Sequence, residues 1–143
     1  MIFLKIVATR KRASTVKVAL EEALKEINQE LSQIDGKIVK MSADAKALGG
    51  VEISIVVDGN EPYTKKIVGV NESATNAELS IKKAQEKINS IISEMNGEIA
   101  DFYTKTIITP IGRAYTTMIL ATNERFSRPL GELNAEERRR QMQ

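Results

Sequence analysis

Three consecutive cations, Arg10, Lys11 and Arg12, lead into the hydroxyls of Ser14 and Thr15 at the point where an apolar strand pattern gives way to a helical one. The first turn of a helix presents unsatisfied N–H groups and partial positive charge, so small anions such as phosphates bind there. Arginine adds bidentate hydrogen bonds. Arg10, Lys11, Arg12, Ser14 and Thr15 are therefore the candidate ligand-binding residues; a solvated basic loop is the plainer use of the same residues. A second row, Asp101, Tyr103 and Lys105, falls on one side of a strand by period-two alternation. Lys40, Ser42 and Asp44 stand at matching positions earlier in the chain. Acid, phenol and amine together could move a proton, although such rows more commonly form cross-strand charge ladders.

The rest of the inventory narrows the chemistry. The 143 residues include no cysteine and no histidine, which removes disulfides, thiolate ligands, thiol nucleophiles and the commonest general base and metal ligand. No Gly-rich phosphate loop, metal-ligand cluster or nucleophile–base spacing is present, so no catalytic or metal residue is assigned. The net charge of +2 is spread evenly along the chain, so electrostatics do not call for a nucleic-acid partner. Three Phe, three Tyr and no Trp leave little for base stacking. No apolar run reaches the roughly 20 residues that span a bilayer, and Met1–Ala8, interrupted by Lys5, lacks the apolar core of a signal peptide. No membrane association and a cytoplasmic location are expected.

What positions these residues is an internal duplication. Lys5/Lys66, Ile6/Ile67, Val7/Val68, Ala23/Ala84, Ile27/Ile88, Asn28/Asn89, Gly36/Gly97 and Ile38/Ile99 are identical pairs, each 61 residues apart. The apolar stripe Val16, Leu20, Ala23, Ile27, Leu31, Ile34 recurs as Ala77, Ile81, Ala84, Ile88, Ile92, Met95. Such spacing predicts one amphipathic helix per repeat, about 15–34 and 75–95. Ser14 or Thr15 and Thr75 are the expected N-caps, Glu78 completes a capping box with Thr75, and Gly36 and Gly97 supply left-handed C-caps. Strands are predicted over Ile2–Thr9, Lys37–Asp44, Val51–Asp58, Lys65–Val70, Glu98–Ile108 and Arg113–Thr122.

Two tandem βαββ repeats, residues 1–60 and 61–123, should thus form one compact α/β (α+β) two-layer sandwich, a mostly antiparallel six-stranded sheet with both helices on one face. Val7, Ile55, Val57, Phe102 and Thr104 are not expected all to point at the helices, so a partly apolar second face should meet another subunit, giving a homo-oligomer. Residues 124–143 read as an extended connector, with Pro129, followed by a basic C-terminal helix or arm that starts near Asn134 and carries Arg138-Arg139-Arg140. A sequence that stops so soon after a helix start leaves room for a further C-terminal module.

The second unit, from Tyr63-Thr64-Lys65-Lys66-Ile67-Val68-Gly69-Val70-Asn71-Glu72-Ser73 into the Ala77–Met95 helix and two more strands, resembles the dodecins, and through the repeat so does 3–58. That resemblance implies a strand-helix-strand-strand subunit, assembly into hollow oligomers, and a third strand lying between the first two. Dodecins hold flavin against an aromatic side chain, typically tryptophan. This chain has none, so flavin is not carried over to Phe102 or Tyr103 and no cofactor is assigned. The short Asp58–Pro62 link favours a competing hairpin between Val51–Asp58 and Lys65–Val70, and a ferredoxin-like fold with added strands is the alternative architecture. The function expected is a non-catalytic oligomeric protein that binds or stores a small anionic ligand. A protein- or nucleic-acid-interaction module and an enzyme using carboxylate, lysine or tyrosine chemistry are the alternatives.

Overall fold

A computed structural model describes residues 3–125. The connector and basic helix or arm expected over 124–143 lie outside the described residues from 126 onward, and Asn123–Arg125 continue the last strand. The elements run β1 (Leu4–Arg12), α1 (Val16–Leu31), β2 (Lys37–Lys46), β3 (Gly50–Asp58), β4 (Tyr63–Ala74), α2 (Ala77–Ile92), β5 (Glu98–Ile108) and β6 (Ala114–Arg125), which is βαββ twice.

In each unit the third strand lies between the first two, in the orders β1-β3-β2 and β4-β6-β5, and every pairing is antiparallel. The six strands therefore form two three-stranded sheets rather than one continuous sheet. No β3–β4 hairpin forms, because both edges of β3 are already occupied; Gly59, at φ 96°, turns the chain away instead. The duplication extends to irregularities. Register shifts between Ile38 and Lys40 in β2 and between Ile99 and Asp101 in β5, so the bulged residues Val39 and Ala100 are themselves 61 apart.

Both helices carry the expected stripe, and their central Ile27 and Ile88 are 0% and 3% exposed. The cap expected at Thr15 is present: its hydroxyl accepts from Val18 N–H at 3.2 Å. In the second helix the cap is Asn76 instead of Thr75. Asn76 is extended, its amide oxygen accepts from Leu79 N–H at 2.8 Å, and the Thr75–Glu78 box does not form because the helix begins two residues later than the spacing suggests. Gly36 and Gly97 have positive φ, 108° and 104°, yet they are not C-caps. The helices end at Leu31 and Ile92 with right-handed Ser32 and Ser93, and the glycines turn the chain into β2 and β5.

The main core fills the space between α1, the first sheet and one face of the second. Val7, Ile27, Ile55 and Val57 meet Ile67, Ile119 and Ala121 there. A smaller cluster, Val70, Ala84, Ile88 and Met118, lies under α2 on the opposite face of the second sheet. Each sheet thus has its own helix side. Val7, Ile55 and Val57 face α1, while Phe102 and Thr104 pair with Leu120 and Met118 on the α2 side, so the expected conflict of directions does not arise. Among the described residues no helix is long and apolar enough to cross a membrane.

Candidate functional site

Strand β1 continues through Arg12, so the three cations sit in a strand and not in a loop. Alternation sends them to opposite faces. Arg10 lies on the open face of the first sheet, its Nε 3.3 Å from the Glu52 carboxylate. Lys11 faces α1 and pairs with Glu26, whose same oxygen accepts from the Thr9 hydroxyl at 3.0 Å. The hydrogen bond and charge of Glu26 hold the Lys11 ammonium above its ordinary pKa, and Lys11 followed by Thr9 holds the Glu26 carboxyl below its own. Arg12 is exposed. The structure therefore brings Ser14 and Thr15 together at the start of α1 and does not converge Arg10, Lys11 and Arg12 on them.

Ser14, Thr15 and Val16 instead line a cavity of about 230 Å³ between the two units, closed on its far side by Asn71, Thr109 and Tyr115. The first backbone bond of α1 is Ala19 N–H to Thr15, and Val18 N–H is taken by the Thr15 hydroxyl. Val16 and Lys17 N–H groups have no protein partner among the described residues, as expected of a first helical turn. The Asn71 amide nitrogen is committed to the Thr117 hydroxyl at 2.8 Å, and its position is 8% exposed. Among the described residues no carboxylate lines the cavity. The Ser14 and Tyr115 hydroxyls and the helix-start N–H groups supply donors without a formal charge, while the Thr109 hydroxyl is spent on the Arg113 carbonyl and N–H at 3.0 and 3.1 Å.

The acid–phenol–amine row has another use. Strand β2 is the edge of its sheet, and its outer N–H groups point at the second unit. Asp101 Oδ2 accepts from Met41 N–H at 2.8 Å and the Tyr103 hydroxyl accepts from Ala45 N–H at 2.9 Å. Lys105 reaches Asp44 at 3.0 Å, and Lys46 takes the other Asp44 oxygen at 2.9 Å. Burial pushes the Tyr103 phenol above its ordinary pKa, while Lys46 and then Lys105 hold the Asp44 carboxyl below its own. Three side chains with the types of a proton relay are spent on joining the units.

Two asparagines complete that join. Asn123 of β6 accepts from Ile38 N–H and donates to Ile38 C=O, both at 2.8 Å. Asn28 of α1 does the same to Ile67 at the free edge of β4, also at 2.8 Å. Each amide replaces, for one residue, the neighbouring strand that an edge lacks. Sequence reasoning missed both roles, although the identity of Asn28 and Asn89 beside the buried isoleucine of each stripe was a usable signal. Lys65, 7% exposed, is a further missed residue. It donates to Ile34 and Tyr63 carbonyls at 2.7 and 3.2 Å, and burial lowers its pKa. Among the described residues no cluster of three or more acidic side chains could hold a metal ion. No protein-family model, curated protein or solved structure matches the chain.

Proposed function

We infer that the chain is a non-catalytic binding protein whose ligand is a small oxyanion, a carboxylate or phosphate ester, taken up in the cavity between the units. The observation that carries this reading is that cavity: about 230 Å³, lined by the entry to α1 and by the Ser14 and Tyr115 hydroxyls, with no carboxylate among the described residues to repel an anion. Helix-start N–H groups favour such a guest. The side chains with the types needed for proton transfer, Asp101, Tyr103 and Lys105, are engaged in holding β2, which favours binding over catalysis. Arg10 and Arg12 contribute only long-range attraction in this reading, screened over about 8–10 Å at ordinary salt.

Isothermal titration with inorganic phosphate, a set of small phosphate monoesters and a set of small carboxylates tests it. Saturable binding of at least one probe is expected. Ser14→Phe, which fills the cavity from its exposed rim, should remove binding, whereas Arg10→Ala with Arg12→Ala should weaken it modestly and only at low salt. Failure of every probe to bind, or a Ser14→Phe protein that binds as the wild type does, overturns the reading.

A further inference from the structure

The contact between the two units is directional. The first unit contributes the helix side of its sheet: Leu20, Ile38 and Met41 are 2%, 2% and 7% exposed there, and Leu20 approaches the Gly69 backbone of β4. The second unit contributes the opposite side of its own sheet, the one turned away from α2, where Ile67 is 1% and Ala121 0% exposed. Because the units are repeats, each owns both kinds of surface, and one of each is left unused.

The unused surfaces keep part of the apolar pattern, with Ser54 in the place of Ile119. On the second unit, the positions 61 residues after Leu20, Ile38 and Met41 are Ile81, Ile99 and Phe102, and these are 40%, 60% and 46% exposed. On the first unit, the counterpart of Ile67 is Ile6, identical in type and 67% exposed, and the counterpart of the bulged Ala100 is Val39, 44% exposed. The polar clamp is duplicated as well. Asn28 holds the N–H and C=O of Ile67; its counterpart Asn89 is exposed and its amide has no partner among the described residues. The counterpart backbone also has no partner among the described residues. Phe3 C=O accepts from Gly59 N–H and Ala13 N–H donates to Gly49 C=O, so the odd residues of β1 bond to β3, and the even ones, Ile6 among them, turn their N–H and C=O to the open edge.

We propose that a second copy of this chain occupies these surfaces, its Ile6 edge and open first-sheet face docking on the α2 side of the second unit as the second unit docks on the first within one chain, with Asn89 clamping Ile6. The partner is fixed by continuity: the internal contact is a template for the external one, down to an identical isoleucine and an identical asparagine. Three cis bonds lack a full counterpart. Lys40, which has no acceptor, stands where Asp101 accepts, Ser42 stands where the Tyr103 hydroxyl accepts, and Asp58, a carboxylate with no hydrogen to donate, stands where Asn123 both accepts and donates. The trans contact is accordingly weaker than the cis one, and assembly depends on protein concentration. It is also heterologous, each copy offering one donor face and one acceptor face, so it builds a ring or a filament and not a two-fold dimer.

Multi-angle light scattering and native mass spectrometry of the full chain at high micromolar concentration should find masses that are multiples of 15.8 kDa. Ile6→Glu disables the donor face and Asn89→Ala with Ile81→Glu disables the acceptor face. All three positions are exposed, so circular dichroism and melting should be unchanged and each protein should be monomeric. Mixing the two should restore one intact contact and give a species of twice 15.8 kDa that grows no further, whereas the wild type should grow beyond that mass, which a two-fold dimer would not. A monomeric wild type overturns the proposal, including one whose Ile6 amide is protected from hydrogen exchange, since the face would then be covered by the chain's own residues beyond Arg125. Mutants that assemble like the wild type, or a mixture that stays monomeric, overturn it equally.

Discussion

Replacing Asn123 with alanine would leave Ile38 with two unsatisfied backbone groups in the seam between the units. Asn123 is 8% exposed and makes both of its bonds to Ile38 at 2.8 Å. An orphaned buried polar group costs about 1–3 kcal/mol, so two cost about 2–6 kcal/mol, and a water admitted where the amide stood recovers part of that. The expected loss is about 2–4 kcal/mol, read from urea unfolding at neutral pH with an unchanged slope. Asn28→Ala removes the same two bonds at a half-buried position that water reaches more readily, and should cost about 1 kcal/mol. Asn123→Asp adds a signature that loss of packing cannot mimic. Its carboxylate would face the Ile38 carbonyl in a buried site, which favours the neutral acid, whose O–H donates where the amide did. Its native pKa is then raised above the unfolded value of about 3.9. The native state binds the extra proton in that window, so stability falls as pH rises from the unfolded value through the native one. The deficit of the Asp variant should therefore be large at neutral pH and shrink in mild acid. An Asn123→Ala loss below about 0.5 kcal/mol, or an Asp variant whose deficit ignores pH, would refute the clamp.

Three further outcomes follow from burial, geometry and charge. Ile27→Ala should cost about 3–5 kcal/mol and Ile88→Ala about 2–3 kcal/mol by denaturant unfolding, because Ile27 belongs to the core shared by both units and Ile88 to the small cluster under α2; the reverse order would contradict that division. Gly97→Ala should cost more than about 2 kcal/mol, since φ is 104° and the new Cβ would stand 2.3 Å from the Asn123 carbonyl oxygen, whereas Gly59→Ala, at φ 96° with nothing within 4 Å, should cost only the conformational part. Asp44 should titrate below its ordinary 3.8 in carboxyl NMR, and Lys46→Met should move the midpoint back up. Its contribution to stability is present above 3.8 and is lost as pH falls through the native value; a wild-type midpoint at or above 3.8 would remove the Lys46–Asp44–Lys105 link.

Much of the fold was legible because the helical stripes and the turn glycines are local signals, repeated twice. Ile27 and Ile88 are where the periodicity puts them, and six strands occupy the six predicted stretches with ragged ends. What the sequence concealed is long-range. Whether six strands make one sheet or two depends on which edge each finds, and nothing local to Val51–Asp58 says that both of its edges go to β1 and β2. The cap of α2 was missed by one residue because Thr75 and Asn76 are both good caps and only backbone direction chooses between them. The candidate site fared unevenly for a similar reason. Ser14 and Thr15 do line a cavity, but the extension of β1 through Arg12 splits Arg10 and Arg12 from Lys11 by strand alternation, a consequence of pairing with Gly50–Glu52 that composition cannot reveal.

The seam between the units is written in two different alphabets. Along β2 the second-unit side consists of the side chains of Asp101, Tyr103 and Asn123 and the first-unit side of the main chain of Ile38, Met41 and Ala45, while Asn28 reverses these roles on the main chain of Ile67 and Lys105 meets Asp44 side chain to side chain. Substitution changes side chains and leaves the peptide group in place, so the two sides should differ in what evolution can alter. A scan of all single substitutions read by folded yield should find positions 101, 103 and 123 intolerant of most changes that lose the acceptor. At 38, 41 and 45 it should find tolerance governed by side-chain volume, with proline as the one residue that removes the N–H itself. A lineage carrying this fold could therefore exchange one apolar side chain for another of similar volume along the inner surface of β2 while the join between its halves stayed intact.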